Sequence, residues 1–261
     1  EGAGVEEGAG VGVGVGAGVG AGAGQVKVYQ YSGGNWNQLG SSFVGDAGDN
    51  RNEAELNDDG TIMAIARTGH EAPANKGKVQ VYQYIGGNWN QLGGDIIGES
   101  DGDRIGEYGM DFSDDGTILA IGAPNNSGSA SSAGHVRVFK YSGGNWNQLG
   151  ADIDGDASVD FFGRSVSLSN DGTRMAVSAP YSEGPGVAVP AHINATGKVK
   201  VFEYSGGNWT QLGSDIDGEA EGDISGFYKH SVSLNGDGTI VAIGAPLNDA
   251  NGTFGNANLG S

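Results

Sequence analysis

The sequence predicts an all-β protein: a β-propeller-like array of four-stranded antiparallel blades, with about four complete blades and one half-blade. The first observation is a phrase, Ser-Gly-Gly-Asn-Trp-Asn-Gln-Leu-Gly, that recurs with small variations around four tryptophans spaced 53, 57 and 63 residues apart: Trp36, Trp89, Trp146 and Trp209. A period of this length is typical of blades and solenoids. The second observation is that short segments of alternating polar and apolar residues, separated by Asp-Gly and Gly-Gly turn signals, fill the intervals, as half-buried strands do.

One whole unit can be followed from residue 163 to residue 216. Residues 165–169 alternate as a first strand, and residues 170–173 form an Asp-Gly turn of the kind that closes hairpins. Residues 174–179 form a second strand, which ends at Pro180 because proline cannot continue a ladder of hydrogen bonds. After a variable loop, residues 198–204 predict a third strand, residues 205–208 a turn, and residues 209–212 the start of a fourth. Four short antiparallel strands per unit is the anatomy of a propeller blade.

The other units repeat this order within a single repeat domain of 261 residues. The third and fourth strands begin near Val26, Val79, Val136 and Val199, and the first two occur at 108–124, 163–180 and 229–246, with a weaker copy at 53–66. The predicted units are residues 1–44, 45–97, 98–153, 154–216 and 217–261. Residues 1–24 use only Glu, Gly, Ala and Val. They are interpreted either as a low-complexity strand or as the simplified first hairpin of the first unit.

Three segments resemble FG-GAP repeats, the units of integrin-α-like propellers and of many extracellular microbial proteins. They are Phe162-Gly163-Arg164-Ser165-Val166 followed by residues 176–180, Ile121-Gly-Ala-Pro124, and Ile243-Gly-Ala-Pro246. The resemblance implies blades around a central axis, displayed outside the cell and used for adhesion or assembly. The family's calcium loop is not carried over, because the corresponding connections, such as Asn170-Asp171-Gly172, are too short to surround a calcium ion with six to eight oxygens.

Composition excludes several function classes. With 13 Lys and Arg against 32 Asp and Glu, the net charge of −19 argues against binding to nucleic acid or to an anionic membrane surface. The sequence contains no run of about 18 apolar residues, so it does not predict a membrane-spanning helix. The absence of Cys excludes disulfides and thiolate metal sites. No signal peptide is visible at Glu1, which fits a mature or partial chain.

No catalytic residue is predicted, and the protein is expected not to be an enzyme. The four histidines make no His-Glu-x-x-His pair, and there is no Gly-x-Ser-x-Gly elbow. His135 starts a strand where other units have Lys78 and Lys198, so it is predicted to be an ordinary exposed residue. A propeller lyase or glycosidase is the third hypothesis, but no carboxylate stands in an apolar setting that would raise its pKa for acid–base chemistry.

The acidic stretches after the tryptophan strands are the candidate metal sites, with calcium as the candidate cofactor. Alternating carboxylates with a Gly that permits a sharp bend suit calcium; the alternative is a solvated loop in which Asp and Gly set turns. The candidate ligands are Asp101, Asp103, Asp152, Asp154, Asp156, Asp215, Asp217, Glu219 and Asp223, and the first of these stretches also contains Asp95 and Glu99.

The tryptophans and the sequons supply the remaining candidates. Sugar stacking is one hypothesis for the tryptophans, but their recurrence at one point in every unit favours packing between blades, with Tyr31, Tyr84, Tyr141 and Tyr204 as partners across the turn. Asn-x-Ser/Thr sequons predict N-linked glycans on the variable loops and in one hairpin turn, at Asn125, Asn194, Asn251 and Asn208.

These features predict an extracellular or cell-surface structural or adhesive protein, glycosylated and self-assembling into a filament or surface layer through exposed blade edges. The last copy of the first two strands has no third and fourth strand after it, and unpaired sheet edges are templates for pairing between chains. The alternative is a calcium-assisted propeller module that binds carbohydrate or protein through its loops.

Overall fold

The computed structural model describes residues 11–17, 24–45, 52–69, 75–183 and 195–248, and every named element in these ranges is a β-strand. None of them contains a helix long and apolar enough to cross a membrane. The chain is an array of β-propeller blades, as the repeat predicts.

The strands fall into five consecutive units, numbered here from the N-terminal side. Unit 1 contains β1 (Val11–Ala17), β2 (Gly24–Ser32), β3 (Asn35–Gln38) and β4 (Phe43–Val44); unit 2 contains β5 (Asn52–Leu56), β6 (Ile62–Arg67), β7 (Lys78–Ile85), β8 (Asn88–Gln91) and β9 (Ile96–Ile97); unit 3 contains β10 (Met110–Phe112), β11 (Ile118–Ala123), β12 (His135–Ser142), β13 (Asn145–Gln148) and β14 (Ile153–Asp154); unit 4 contains β15 (Val166–Leu168), β16 (Arg174–Ala179), β17 (Lys198–Ser205), β18 (Asn208–Gln211) and β19 (Ile216–Asp217); and unit 5 contains β20 (Val232–Leu234) and β21 (Val241–Ile243).

Each of units 2, 3 and 4 is one antiparallel sheet in sequence order, with one departure from the predicted four strands. The fourth strand is divided in two, so that β8 pairs with the far end of β7 and β9 pairs with its near end. The division lies at Gly93, whose φ of +79° is left-handed backbone that favours glycine. In unit 1, β1 pairs with β2 in the second-strand position.

The turn between the first and second strands is stabilised by hydrogen bonds to the carboxylate of its own Asp. In unit 3, the Asp115 carboxylate accepts hydrogen bonds from the backbone N–H of Thr117 (2.9 Å) and from its hydroxyl (2.8 Å). Asp171 and Thr173 repeat this contact in unit 4. An Asx turn of this kind satisfies the carboxylate locally, so the bend forms without a bound ion.

The core consists of layers between successive units. One face of each second strand points toward the following unit and the other face toward the preceding unit, because side chains alternate along a strand. Between units 2 and 3, the buried residues include Ile62, Ala64, Val79, Ile96, Ile105, Met110, Phe112, Leu119, Ile121 and Phe139. An equivalent layer joins units 3 and 4. Each unit therefore needs a neighbour on both sides to bury its apolar residues.

The first strands lie side by side and are linked through polar side chains. The Asp111 carboxylate of β10 accepts the backbone N–H of Leu168 in β15 (2.7 Å), and the Ser167 hydroxyl accepts the N–H of Leu234 in β20 (3.1 Å). Beyond this row, Lys229 of unit 5 reaches back to the carboxylate of Glu53 in unit 2 (3.2 Å). The inner ends of units 2 to 5 are thereby brought around a common axis.

Candidate functional site

Each repeated tryptophan of units 2, 3 and 4 lies at the joint with the preceding unit. The indole N–H of Trp89 donates to the carbonyl oxygen of Leu39 (2.9 Å), that of Trp146 to Leu92 (2.8 Å) and that of Trp209 to Leu149 (2.9 Å). Within its own unit, each indole contacts the tyrosine across the turn, with ring centroids 5.2–5.4 Å apart.

The glycine after each of these leucines forms the seat for the indole ring. A Cβ added at Gly40 would lie 2.7 Å from Cδ1 of Trp89, one at Gly93 would lie 2.9 Å from Cδ1 of Trp146, and one at Gly150 would lie 3.0 Å from Cδ1 of Trp209. The recurring Gln-Leu-Gly therefore supplies both the acceptor and the space. We call the indole the knob and the Leu-Gly pair the hole.

One knob and one hole are left over among the described residues. Trp36 of unit 1 is 56% exposed, and Tyr31 beside it is 43% exposed. At the other end, a Cβ added at Gly213 in unit 4 would meet no described atom within 4 Å. Both halves of the joint are therefore present and unpaired at opposite ends of the array.

The outer face of unit 5 is also uncovered. Ile240 is 66% exposed, whereas the equivalent Ile62 and Ile118 are 6% and 7% exposed because each packs against the following unit. Leu247 is 60% exposed. Unit 5 thus presents an apolar surface of the kind that is buried at every complete joint.

Most of the predicted metal ligands have protein partners. Asp103 accepts the backbone N–H groups of Glu99 (2.9 Å) and Ser100 (2.8 Å), and Asp223 does the same for Ala220 (2.9 Å). These two carboxylates close turns in the loop.

Asp215 accepts from Gln211 (2.7 Å) and forms an ion pair with Lys198 (2.9 Å), while Asp156 forms one with Lys200. The other predicted ligands in these loops are exposed, namely Asp101, Asp154, Asp217 and Glu219. Two residues of the predicted acidic stretches, Asp152 and Glu99, belong to a described group of three metal-ligating side chains, whose third member, His135, was not predicted.

The prediction for His135 is wrong: it is 2% exposed, and its Nε2 has no hydrogen-bond partner. Its position is covered because Glu99 of the preceding unit and Asp152 of its own unit close over the start of β12; their ligand atoms and that of His135 lie within 4.8 Å of one another. Burial and the nearby Arg137 guanidinium lower the pKa of the imidazole, so the neutral form is favoured. The signal in the sequence was the exchange of Lys for His at a fixed repeat position.

Two carboxylates near the axis also depart from expectation. Burial raises the pKa of Glu55 to about 7, with Lys229 opposing that rise, and burial raises the pKa of Asp111 to about 6 despite its backbone hydrogen bonds. The expectation that no carboxylate lies in an apolar setting is therefore wrong, because the burial comes from the packing of the inner strands and not from neighbours in the sequence.

The described sequons differ in exposure. Asn208 is exposed at the start of β18, whereas Asn125 is half-buried and donates to Glu107 (3.3 Å). Asn194 and Asn251 lie outside the described residues.

No protein-family model matches the chain, and no curated protein matches it. Solved structures do resemble it. One is a "putative 6-phosphogluconolactonase" from Bacteroides uniformis, with a TM-score of 0.50, 13% identity, and coverage of 77% of this chain and 50% of the other. Another is hydrazine synthase from Kuenenia stuttgartiensis, with a TM-score of 0.52, 16% identity, and coverage of 86% and 58%. The chain thus spans about half the length of the structures it matches.

At these identities the likeness shows the propeller fold alone. Whether the chain is an enzyme is left open by it, and the expectation that it is not remains a prediction.

Proposed function

We propose that the protein is an extracellular structural or adhesive repeat protein that assembles head to tail, with Trp36 of one copy seated in the Leu212–Gly213 hole of the next. The observation that supports this is the unpaired knob and hole at opposite ends of an array whose three internal joints use that same contact. A contact between different surfaces of identical chains propagates when it does not close.

The proposed joint would also complete a blade. Trp36 follows β2 directly, so seating it beside unit 4 brings β2 next to β21, where the third strand of unit 5 belongs. Strand addition of this kind supplies backbone hydrogen bonds and side-chain burial together. It would cover Ile240 and Leu247 by apolar contacts of the type found at the internal joints.

β21 of the copy that provides the hole would pair with β2 of the copy that provides Trp36. It would take the place that β1 holds beside β2 within one chain. Gly12 lies opposite Tyr29 and Gly14 opposite Lys27, so β1 offers no side chain on one face. β21 has Val241 and Ile243 at the equivalent positions. The exchange therefore replaces glycine with branched apolar residues, at a gain of roughly 1.5–3 kcal/mol for each side chain that becomes fully buried.

The test uses two complementary variants. Trp36→Ala removes the knob, and Gly213→Asn fills the hole; Asn tolerates left-handed backbone better than most residues, and the monomer has space there. We expect the oligomers of the native chain to become larger as the protein concentration rises, as measured by sedimentation velocity. The ionic strength should be physiological or higher, because salt screens the repulsion between chains of charge −19.

Each variant alone should stay monomeric, and their mixture should give a dimer and nothing larger, because it contains one functional knob and one functional hole per pair. A native chain that is monomeric at all concentrations, and is destabilised by both substitutions, would instead mean that the chain closes on itself.

The extracellular location and the glycans are part of the same proposal. They rest on the FG-GAP resemblance and on the sequons, of which Asn208 is exposed. Peptide mass spectrometry of natively produced protein should find glycan on Asn208, and unmodified Asn208 with intracellular fractionation would contradict this part. The alternative module that binds ligands with the help of calcium would be favoured if millimolar calcium raised the melting temperature and promoted no assembly.

A further inference from the structure

A charge cluster at the joint between units 3 and 4 holds two lysines between two carboxylates. Lys198 Nζ lies 2.9 Å from Asp215 and 3.7 Å from Asp156, and Lys200 also pairs with Asp156. Asp156 comes from the loop of the preceding unit and Asp215 from the loop of the same unit. Two positive side chains thus balance two negative ones.

The joint between units 2 and 3 repeats this cluster with one cation missing. The register of the strands places His135 where Lys198 lies, since His135 pairs with Asp154 at the end of β14 and Lys198 pairs with Asp217 at the end of β19. Arg137 stands in place of Lys200 and bonds to Glu99 (3.4 Å). Glu99 and Asp152 supply the carboxylates.

We propose that Glu99, His135 and Asp152 bind a divalent transition-metal ion, which supplies the positive charge that Lys198 provides in the next unit. Three observations point to a ligand: the ligand atoms lie within 4.8 Å of one another, His135 Nε2 is buried with no partner, and the equivalent carboxylates in unit 4 enclose a cation. This inference does not depend on the proposed assembly.

The donor set favours Zn²⁺ over Ca²⁺ or Mg²⁺. One imidazole nitrogen with two carboxylate oxygens suits first-row transition metals, whereas calcium and magnesium prefer oxygen alone. Bonds of about 2.1 Å place tetrahedral ligands roughly 3.4 Å apart, and the ligand atoms lie within 4.8 Å of one another, so the carboxylates must approach by at most about 1.4 Å. Both reach the surface, which leaves them room to move and leaves the remaining coordination positions to water.

Arg137 lies beside the site and holds one of the proposed ligands in place. Its guanidinium bonds to one oxygen of Glu99 and to the carbonyl oxygen of Ile97 (2.8 Å), which orients the Glu99 carboxylate. A hydrogen bond of this kind to a ligating carboxylate is typical of metal sites.

The experiment is isothermal titration of the chelator-treated full chain with Zn²⁺, Ca²⁺ and Mg²⁺, together with ¹⁵N spectra of the histidine rings. We expect one Zn²⁺ site of higher affinity than any Ca²⁺ or Mg²⁺ binding, with the ring nitrogens of His135 shifting on binding. His135→Lys should reduce Zn²⁺ affinity at least tenfold without loss of thermal stability, because it builds in the ammonium group that Lys198 provides. Asp156→Asn, which alters the equivalent cluster in unit 4, should leave Zn²⁺ binding unchanged.

Glu99→Gln is the second variant, since Glu99 is exposed and its replacement should not impair folding; it too should weaken Zn²⁺ binding at least tenfold. The proposal is overturned if the native chain binds Zn²⁺ no more tightly than Ca²⁺, or if His135→Lys and Glu99→Gln bind Zn²⁺ as the native chain does. A shift confined to another histidine ring would also overturn it.

Discussion

Replacing Trp146 with alanine should destabilise the protein far more than the same replacement at Trp36. Trp146 packs against the layer between units 2 and 3, donates to Leu92 (2.8 Å) and lies with its ring centroid 6.4 Å from that of Phe112. Trp36 donates no hydrogen bond to another unit and packs against no core layer among the described residues.

The magnitude follows from those contacts. A buried Trp→Ala change costs about 3–5 kcal/mol, and because Trp146 is only partly buried we take about 3 kcal/mol, of which the hydrogen bond contributes about 1 kcal/mol. Both indoles make the same contact with a tyrosine of their own unit, at 5.5 Å for Trp36 and 5.4 Å for Trp146. That contact therefore cancels, and the joint itself should account for a difference of roughly 2 kcal/mol.

The assays are urea denaturation, which gives the free energy of unfolding, and thermal denaturation, both followed by circular dichroism at a protein concentration where all samples are monomeric. At about 2–4 °C per kcal/mol for a chain of this size, Trp146→Ala should lower the melting temperature by roughly 6–12 °C. Equal losses of stability at Trp36 and Trp146 would refute the reasoning, because they would mean that the tryptophan acts within its own unit or that Trp36 is covered in solution.

Two further predictions concern backbone approach and pH. Gly122→Ala should cost several kcal/mol in urea denaturation, because the added Cβ would lie 1.9 Å from the carbonyl oxygen of Gly163, whereas Gly94→Ala, with nothing within 4 Å, should be nearly neutral; similar losses would contradict the close packing of units 3 and 4. Since the folded-state pKa of Glu55 is raised from 4.5 to about 7, the folded state binds the extra proton and stability should fall as pH rises between these values, by up to about 3 kcal/mol. Glu55→Gln should remove most of that slope while leaving the part due to Asp111, and an unchanged slope would rule out Glu55 as its source.

Much of the fold was predictable because the repeat carries local signals in each copy. Period-2 alternation and Asp-Gly turns place the first three strands, and proline ends the second. The division of the fourth strand was not predicted, since it depends on how Leu92 and Gly93 receive Trp146 from the next unit. That contact joins residues 54 apart in the sequence, and the recurring Gln-Leu-Gly does not by itself show which residue it receives.

The candidate sites were less predictable for the same reason. Counting carboxylates identified the acidic loops, but Asp103 is used by its own turn and Asp215 by Lys198. What distinguishes the cluster at His135 is the loss of one charge relative to Lys198. The exchange is visible in the repeat, but the two carboxylates around it are identified only by the fold. A repeat protein is therefore better searched for departures from its consensus than for enriched residue types.

The strand that decides between self-closure and assembly is β1. Lys229 already brings unit 5 to the inner strand of unit 2, so a chain whose β2 paired with its own β21 would complete a ring of blades. As long as β1 pairs with β2 through all seven residues from Val11 to Ala17, that route is blocked within the chain, and Trp36 stays exposed. The alternating glycines of β1 make this block weak, because glycine has no side chain to contribute to packing. In the proposed assembly, β21 of another copy would compete for the same position at high concentration, with Val241 and Ile243 in place of glycine. The balance between these pairings would make assembly sensitive to concentration, in a way that a fixed ring would not be.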